Sequence, residues 1–151
     1  MILGRMLALP VEKGVLQINR VRHTGASGYA RLASPALFAG EVKPEKYFLV
    51  DDFIGQGGTL ANLKGFLENY GGWVVGATTL TGKAYSAKLR LTEETLRNLR
   101  GKYGRELEEW WMAAFGYGFE RLTESEARYL IRADNAHTVT TRIVAAGRSG
   151  D

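Results

Sequence analysis

The chain has 151 residues, a formal net charge of +4 and a pI near 9.4, with 45% hydrophobic and 24% charged residues. That length and apolar content predict one domain with its own core and exclude a disordered chain, and the mild basicity fits a phosphate-bearing ligand without requiring one. The absence of cysteine excludes disulfides and thiolate metal sites.

Residues 2–9 read as the tail of a helix, with Ile2, Leu3, Met6, Leu7 and Leu9 apolar and Pro10 closing it. "MILGRMLALPVEKG" has no basic start followed by a long apolar core, so it does not read as a signal peptide. No later segment approaches the roughly 20 apolar residues of a membrane span. A cytoplasmic protein with no membrane partner is expected. "GVLQINRVR" (14–22) alternates and is rich in Val and Ile, as a strand does. Residues 23–46 carry glycines, Pro35 and Pro44 and no sustained period. They predict a long functional loop with one helical turn at most.

"KYFLVDD" (46–52) reads as a buried strand. From Thr59 the apolar positions Leu60, Leu63, Phe66, Leu67 and Tyr70 follow helical spacing, and Gly71–Gly72 end the helix. "WVVGATTLTG" (73–82) is the next strand, and the short joins predict a right-handed crossover with parallel pairing. Beyond Lys83 the pattern turns helical. Residues 92–103 open at Thr92 with Glu93 and Glu94 suited to a helix N-terminus. Residues 105–115 place Leu107, Trp110, Trp111, Ala114 and Phe115 on one face, the two tryptophans as core or interface. Thr123 and Glu126 have the spacing of a capping box. "HTVTTRIVAAG" (137–147) reads as a last edge strand, and the final four residues as a frayed tail. The expected fold is α/β, a parallel twisted sheet with additional helices in residues 92–132.

The chemistry concentrates in "FLVDDFIGQGGTL" (48–60). Gly55, Gln56, Gly57 and Gly58 join a strand to a helix. Glycine lets the backbone turn its N–H groups inward, and the helix adds its partial positive end. Thr59 is expected to cap that helix and offer its hydroxyl to the same anion. No Lys-Ser or Lys-Thr closes the loop as in a P-loop, and "GATTLTGKA" has the wrong glycine spacing as well. Asp51 and Asp52 would repel a bare phosphate, but ionised carboxylates accept well from a vicinal diol. A sugar phosphate satisfies both halves, and a divalent ion on the ligand relieves the remaining repulsion. No Lys/Arg cluster with interleaved aromatics supports nucleic-acid binding.

That 13-residue stretch closely resembles the phosphoribosyl-pyrophosphate motif of type I phosphoribosyltransferases. The motif comprises an apolar strand, two acids, two apolar or small residues and a loop ending Thr-Gly-Gly-Thr. The resemblance implies that Asp51 and Asp52 are the catalytic acids holding the ribose hydroxyls, that residues 55–59 hold the 5′-phosphate, and that Mg²⁺ arrives on the pyrophosphate close to the two acids. Gln56 departs from the family, which has threonine there. In the family order residues 23–46 take the place of the loop that closes over the site. Arg20, Arg22, His23 and Arg31 would then meet pyrophosphate charge. Lys83 takes the place of a lysine that meets the base in some members. "FGYGFE" (115–120) faintly resembles a stretch that would give Glu120 a metal role. The family has a strand and a pyrophosphate loop ahead of the helix that opens here, so this chain alone is expected to be a weak catalyst, or a binding module for phosphoribosyl pyrophosphate or a nucleoside monophosphate, and a homo-oligomer.

Overall fold

The computed structural model describes residues 2–19, 27–82 and 84–148. The fold is mixed α/β. In chain order it runs α1 (Ile2–Met6), β1 (Val15–Gln17), α2 (Gly28–Ala33), β2 (Phe38–Gly40), β3 (Lys46–Ile54), α3 (Gly58–Asn69) and β4 (Trp73–Gly82). A 3₁₀ turn at Ala84–Ala87 leads to α4 (Glu93–Phe115), a second at Phe119–Arg121 to α5 (Glu124–Ile131), and α6 (Ala136–Arg148) closes the chain.

The crossover expected from the sequence is present. β3 and β4 pair in parallel from Lys46↔Trp73 to Ile54↔Gly82, with an irregularity between Tyr47 and Phe48. α3 covers one face, and Leu49, Ile54, Leu60 and Leu67 form the cluster beneath it. Among the described residues nothing covers the other face: Phe48, Val50 and Leu80 are 48%, 52% and 81% exposed, and Trp73 at the strand start is 72% exposed. Parallel sheets ordinarily bury both faces. The strand expected over 14–22 is ordered as strand only over Val15–Gln17, pairing antiparallel with β2, and its last three residues lie outside the described set.

Two sequence expectations are corrected. Residues 23–46 are not one loop: they hold α2 and β2. Ser27 caps α2 by accepting from the Ala30 N–H at 3.2 Å, and Tyr29 and Leu32 are buried by the helical half of the molecule. Such a short helix carries too few turns to show a period. Residues 137–147 are helix α6, not an edge strand. Thr138, Val139, Thr140, Thr141 and Ile143 favour a strand locally. Val139 and Ile143, four apart, instead bury one helical face in the core, and the Asn135 carboxamide caps the helix by accepting the Thr138 N–H at 2.8 Å. Tertiary burial outweighs propensities of a few tenths of a kcal/mol per residue.

The two helices expected over 92–103 and 105–115 are both present as the arms of α4, divided at Gly104 by its non-helical φ 67°, ψ −169°. Trp111 lies fully buried at the centre of the larger core, its ring 4.6 Å from Phe115 and 5.7 Å from Phe119. The capping box forms as expected: Thr123 Oγ1 accepts the Glu126 N–H, and Glu126 Oε2 accepts the Thr123 N–H.

Glu124 joins α4 to α5. Its buried carboxylate accepts from the Thr92 N–H (2.8 Å), the Thr95 hydroxyl (2.8 Å) and Arg128 Nε (2.7 Å). Burial alone would raise this carboxyl, but those three donors together hold it down, from 4.5 to about 2. A carboxyl depressed on folding stabilises above its unfolded value, and that contribution is lost as pH falls from about 4.5 towards 2. Because Arg128 is mostly exposed, the effect is on the order of 2 kcal/mol. Glu124→Gln should therefore flatten the acid limb of a melting-temperature profile between pH 5 and pH 2, as followed by circular dichroism at about half-unit steps. An unchanged limb would remove Glu124 from the account.

Candidate functional site

Strand β3 ends in a turn that its neighbours hold from behind. Ser86 Oγ donates to the Gly55 carbonyl at 2.5 Å, and Thr123 Oγ1 donates to the Gln56 carbonyl at 2.7 Å. A trans peptide points its N–H opposite to its C=O, so the N–H groups of Gln56 and Gly57 are turned away from those hydroxyls. Gly57 has φ 85°, ψ −2° and is the N-cap of α3. The helix is thus capped two residues earlier than the sequence indicated, and Thr59 sits in its first turn rather than capping it. The first N–H groups of α3 have no intrahelical partner, and they point out of the end where the helix dipole is positive.

A cleft of about 550 Å³ opens at this end, lined by Asp51, Asp52, the whole run Gly55–Thr59 and Arg31. The structure therefore brings together the two acids, the glycine loop and one of the arginines singled out in the sequence. Arg31 reaches in from α2, its guanidinium against Gly55. Arg22 and Lys83, with Arg20 and His23, lie outside the described residues. Asp51 is half-buried and accepts the Asp52 N–H at 2.9 Å, while Asp52 is exposed. Burial pushes the Asp51 carboxyl up, the Asp52 N–H opposes this, and the neighbouring Asp52 carboxylate adds to the rise.

Glu120 is not in the cleft. It faces Arg100 at 3.7 Å on the outer side of α4. Among the described residues no three acidic or histidine side chains cluster as a protein-held metal would need. Asp51 and Asp52 offer hard oxygen donors, which fits an ion carried in on a pyrophosphate and only partly held by the chain.

Among the lining residues that escaped the sequence are three polar ones from the helical half, Tyr117, Arg121 and Glu126, all from the segment joining α4 to α5 and its continuation. They stand about 60 to 70 positions from the loop, so only tertiary packing joins them to it. The capping box did mark Glu126, but as a helix start alone. Burial raises the Glu126 carboxyl, opposed by its hydrogen bonds with Thr123. Burial and then the Glu126 charge push the Tyr117 hydroxyl up to about 12.

The chain is 38% identical to Protein TraN of Escherichia coli over 146 residues, which is 96% of this chain and 33% of TraN. It is 40% identical to an uncharacterized protein of Haemophilus influenzae over 67 residues, 44% of this chain and 15% of that protein. The chain thus spans about a third of TraN's length. No protein-family model and no solved structure matches it.

Proposed function

We propose that this domain binds a 5′-phosphoribosyl ligand, either phosphoribosyl pyrophosphate with Mg²⁺ or a nucleoside 5′-monophosphate. The observation that carries the reading is the single cleft in which two adjacent carboxylates and a glycine turn meet at the start of α3. The 5′-phosphate accepts from the N–H groups of residues 56–59 and from the helix end. The ribose diol donates to Asp51 and Asp52, and Arg31 and Arg121 supply cations for further phosphate charge. In a complete phosphoribosyltransferase, whose parallel sheet extends beyond β3–β4, a nitrogenous base displaces pyrophosphate at the anomeric carbon. Mg²⁺ would neutralise the leaving group there. Asp51 and Asp52 orient the ribose so that this carbon faces its nucleophile.

Binding without turnover is the second reading. The carbonyls of Gly55 and Gln56 are held by Ser86 and Thr123 of the helical half, which ties the loop to the helices as a sensing module requires. Pyrophosphate release from phosphoribosyl pyrophosphate with a panel of bases separates the two.

The ligand class is tested by calorimetry with ribose 5-phosphate, a nucleoside monophosphate and phosphoribosyl pyrophosphate in Mg²⁺. No heat and no thermal shift with any of them would overturn the reading. Asp51→Asn combined with Asp52→Asn should leave inorganic phosphate binding within about twofold and weaken ribose 5-phosphate by about tenfold or more, since charged acceptors give the stronger hydrogen bonds. Parent-like affinity of the double variant for ribose 5-phosphate would sink the assignment of the acids.

A further inference from the structure

A carboxylate beside an anion cradle requires a reason. Glu126 Oε2 is committed to the Thr123 N–H, whereas Oε1 faces the loop: a methyl group on Gly58 would come within 2.5 Å of it. An ionised carboxylate only accepts, so Glu126 Oε1 calls for a donor on whatever occupies the loop. A phosphoryl group can bring one, because its second pKa is about 6 and it readily carries a proton near neutrality. Sulfate at the same pH carries none.

We propose that Glu126 makes the loop selective for a protonated phosphoryl group. The P–O–H donates to Glu126 Oε1 while the other phosphoryl oxygens accept from the loop N–H groups. A fully deprotonated dianion of the same shape is refused, because it sets lone pairs against the carboxylate. This rests on the phosphate reading of the loop and adds a rule for which anion enters. One proton lies between ligand and Glu126, and binding above the phosphoryl pKa takes it up from solvent. The charged and titratable groups facing this position are Tyr117 before α5, Arg121 in the 3₁₀ turn, Arg31 on α2 and Asp51 and Asp52 on β3. Tyr117, its hydroxyl pushed up to about 12, stays neutral across the range tested, and Asp51, whose carboxyl burial pushes up, is a group whose titration must be separated.

The probes are inorganic phosphate, ribose 5-phosphate and sulfate, titrated calorimetrically at pH 6 to 8 in two buffers of different ionisation enthalpy. For the wild-type chain, phosphate should bind at least about tenfold more tightly than sulfate, with uptake approaching one proton at pH 8. Glu126→Gln keeps a capping-box residue at its position, and its fold is checked by melting temperature. It should cut the phosphate-to-sulfate ratio to about threefold or less and abolish the uptake. Equal wild-type affinities for phosphate and sulfate, or undiminished uptake in Glu126→Gln, would overturn the proposal while leaving the phosphate cradle standing. No binding of any probe would overturn the cradle and this rule with it.

Discussion

Trp111→Ala is expected to cost about 3–5 kcal/mol, the range for removing a fully buried large aromatic, against the roughly 5–15 kcal/mol that holds a typical domain. Trp111 is wholly buried, and its ring meets Trp110, Phe115, Tyr117 and Phe119 at centroid distances from 4.6 to 6.5 Å. No neighbour can fill the space, because those rings are themselves fixed on α4 and on the segment leading to α5. Its indole N–H has no partner among the described residues, and a buried unpaired donor costs about 1–3 kcal/mol. Trp111→Phe removes that donor and keeps most of the ring, so it should lose much less than Trp111→Ala. Urea unfolding followed by far- and near-ultraviolet circular dichroism gives both numbers. A loss below about 1 kcal/mol for Trp111→Ala would mean that this aromatic cluster is not the centre of the fold.

Gly57→Val should abolish binding of inorganic phosphate and ribose 5-phosphate alike, a drop of about a hundredfold or more. A β-branched residue at φ 85° costs roughly 1–2 kcal/mol in backbone strain alone. Its Cβ would also sit 3.1 Å from Leu89 Cδ2 and from the Ser86 carbonyl oxygen. Relief must come from rotating the peptide, and that turns an N–H out of the cradle. Gly57→Ala, with the same φ strain and less bulk, should fall between the two. Calorimetry on both variants, with melting curves to confirm folding, is the check. A folded Gly57→Val chain that binds phosphate normally would place the anion elsewhere.

The parts of this fold that could be read from sequence are those whose signals are local. The glycine turn, the apolar strand runs of 46–52 and 73–82 and the Thr123–Glu126 spacing each lie within a dozen residues. α6 was hidden because its β-branched residues mimic a strand, and only the burial of Val139 and Ile143 settles it. α2 and β2 were hidden because six- and three-residue elements hardly establish a period. Asp51, Asp52 and the loop were found as one motif, since a strand–turn–helix keeps them together. Arg31 was found for its charge, whereas its place against Gly55 depends on α2 packing on the helical half. Glu126 and Arg121 needed the chain to fold back on itself.

The uncovered side of β3–β4 governs how the molecule behaves in a tube more than how it treats a ligand. β4 reads WVVGATTLTG, ten residues without a charge or a proline, and its outer edge has no strand beside it among the described residues. Natural edge strands are ordinarily guarded by lysines, prolines or bulges against pairing with a stranger. Here the guard is missing from the strand itself and apolar side chains decorate its face. Chain concentration, salt and temperature therefore set how long this domain stays dispersed, and its solubility ceiling lies with Trp73, Val75 and Leu80 rather than with its +4 charge.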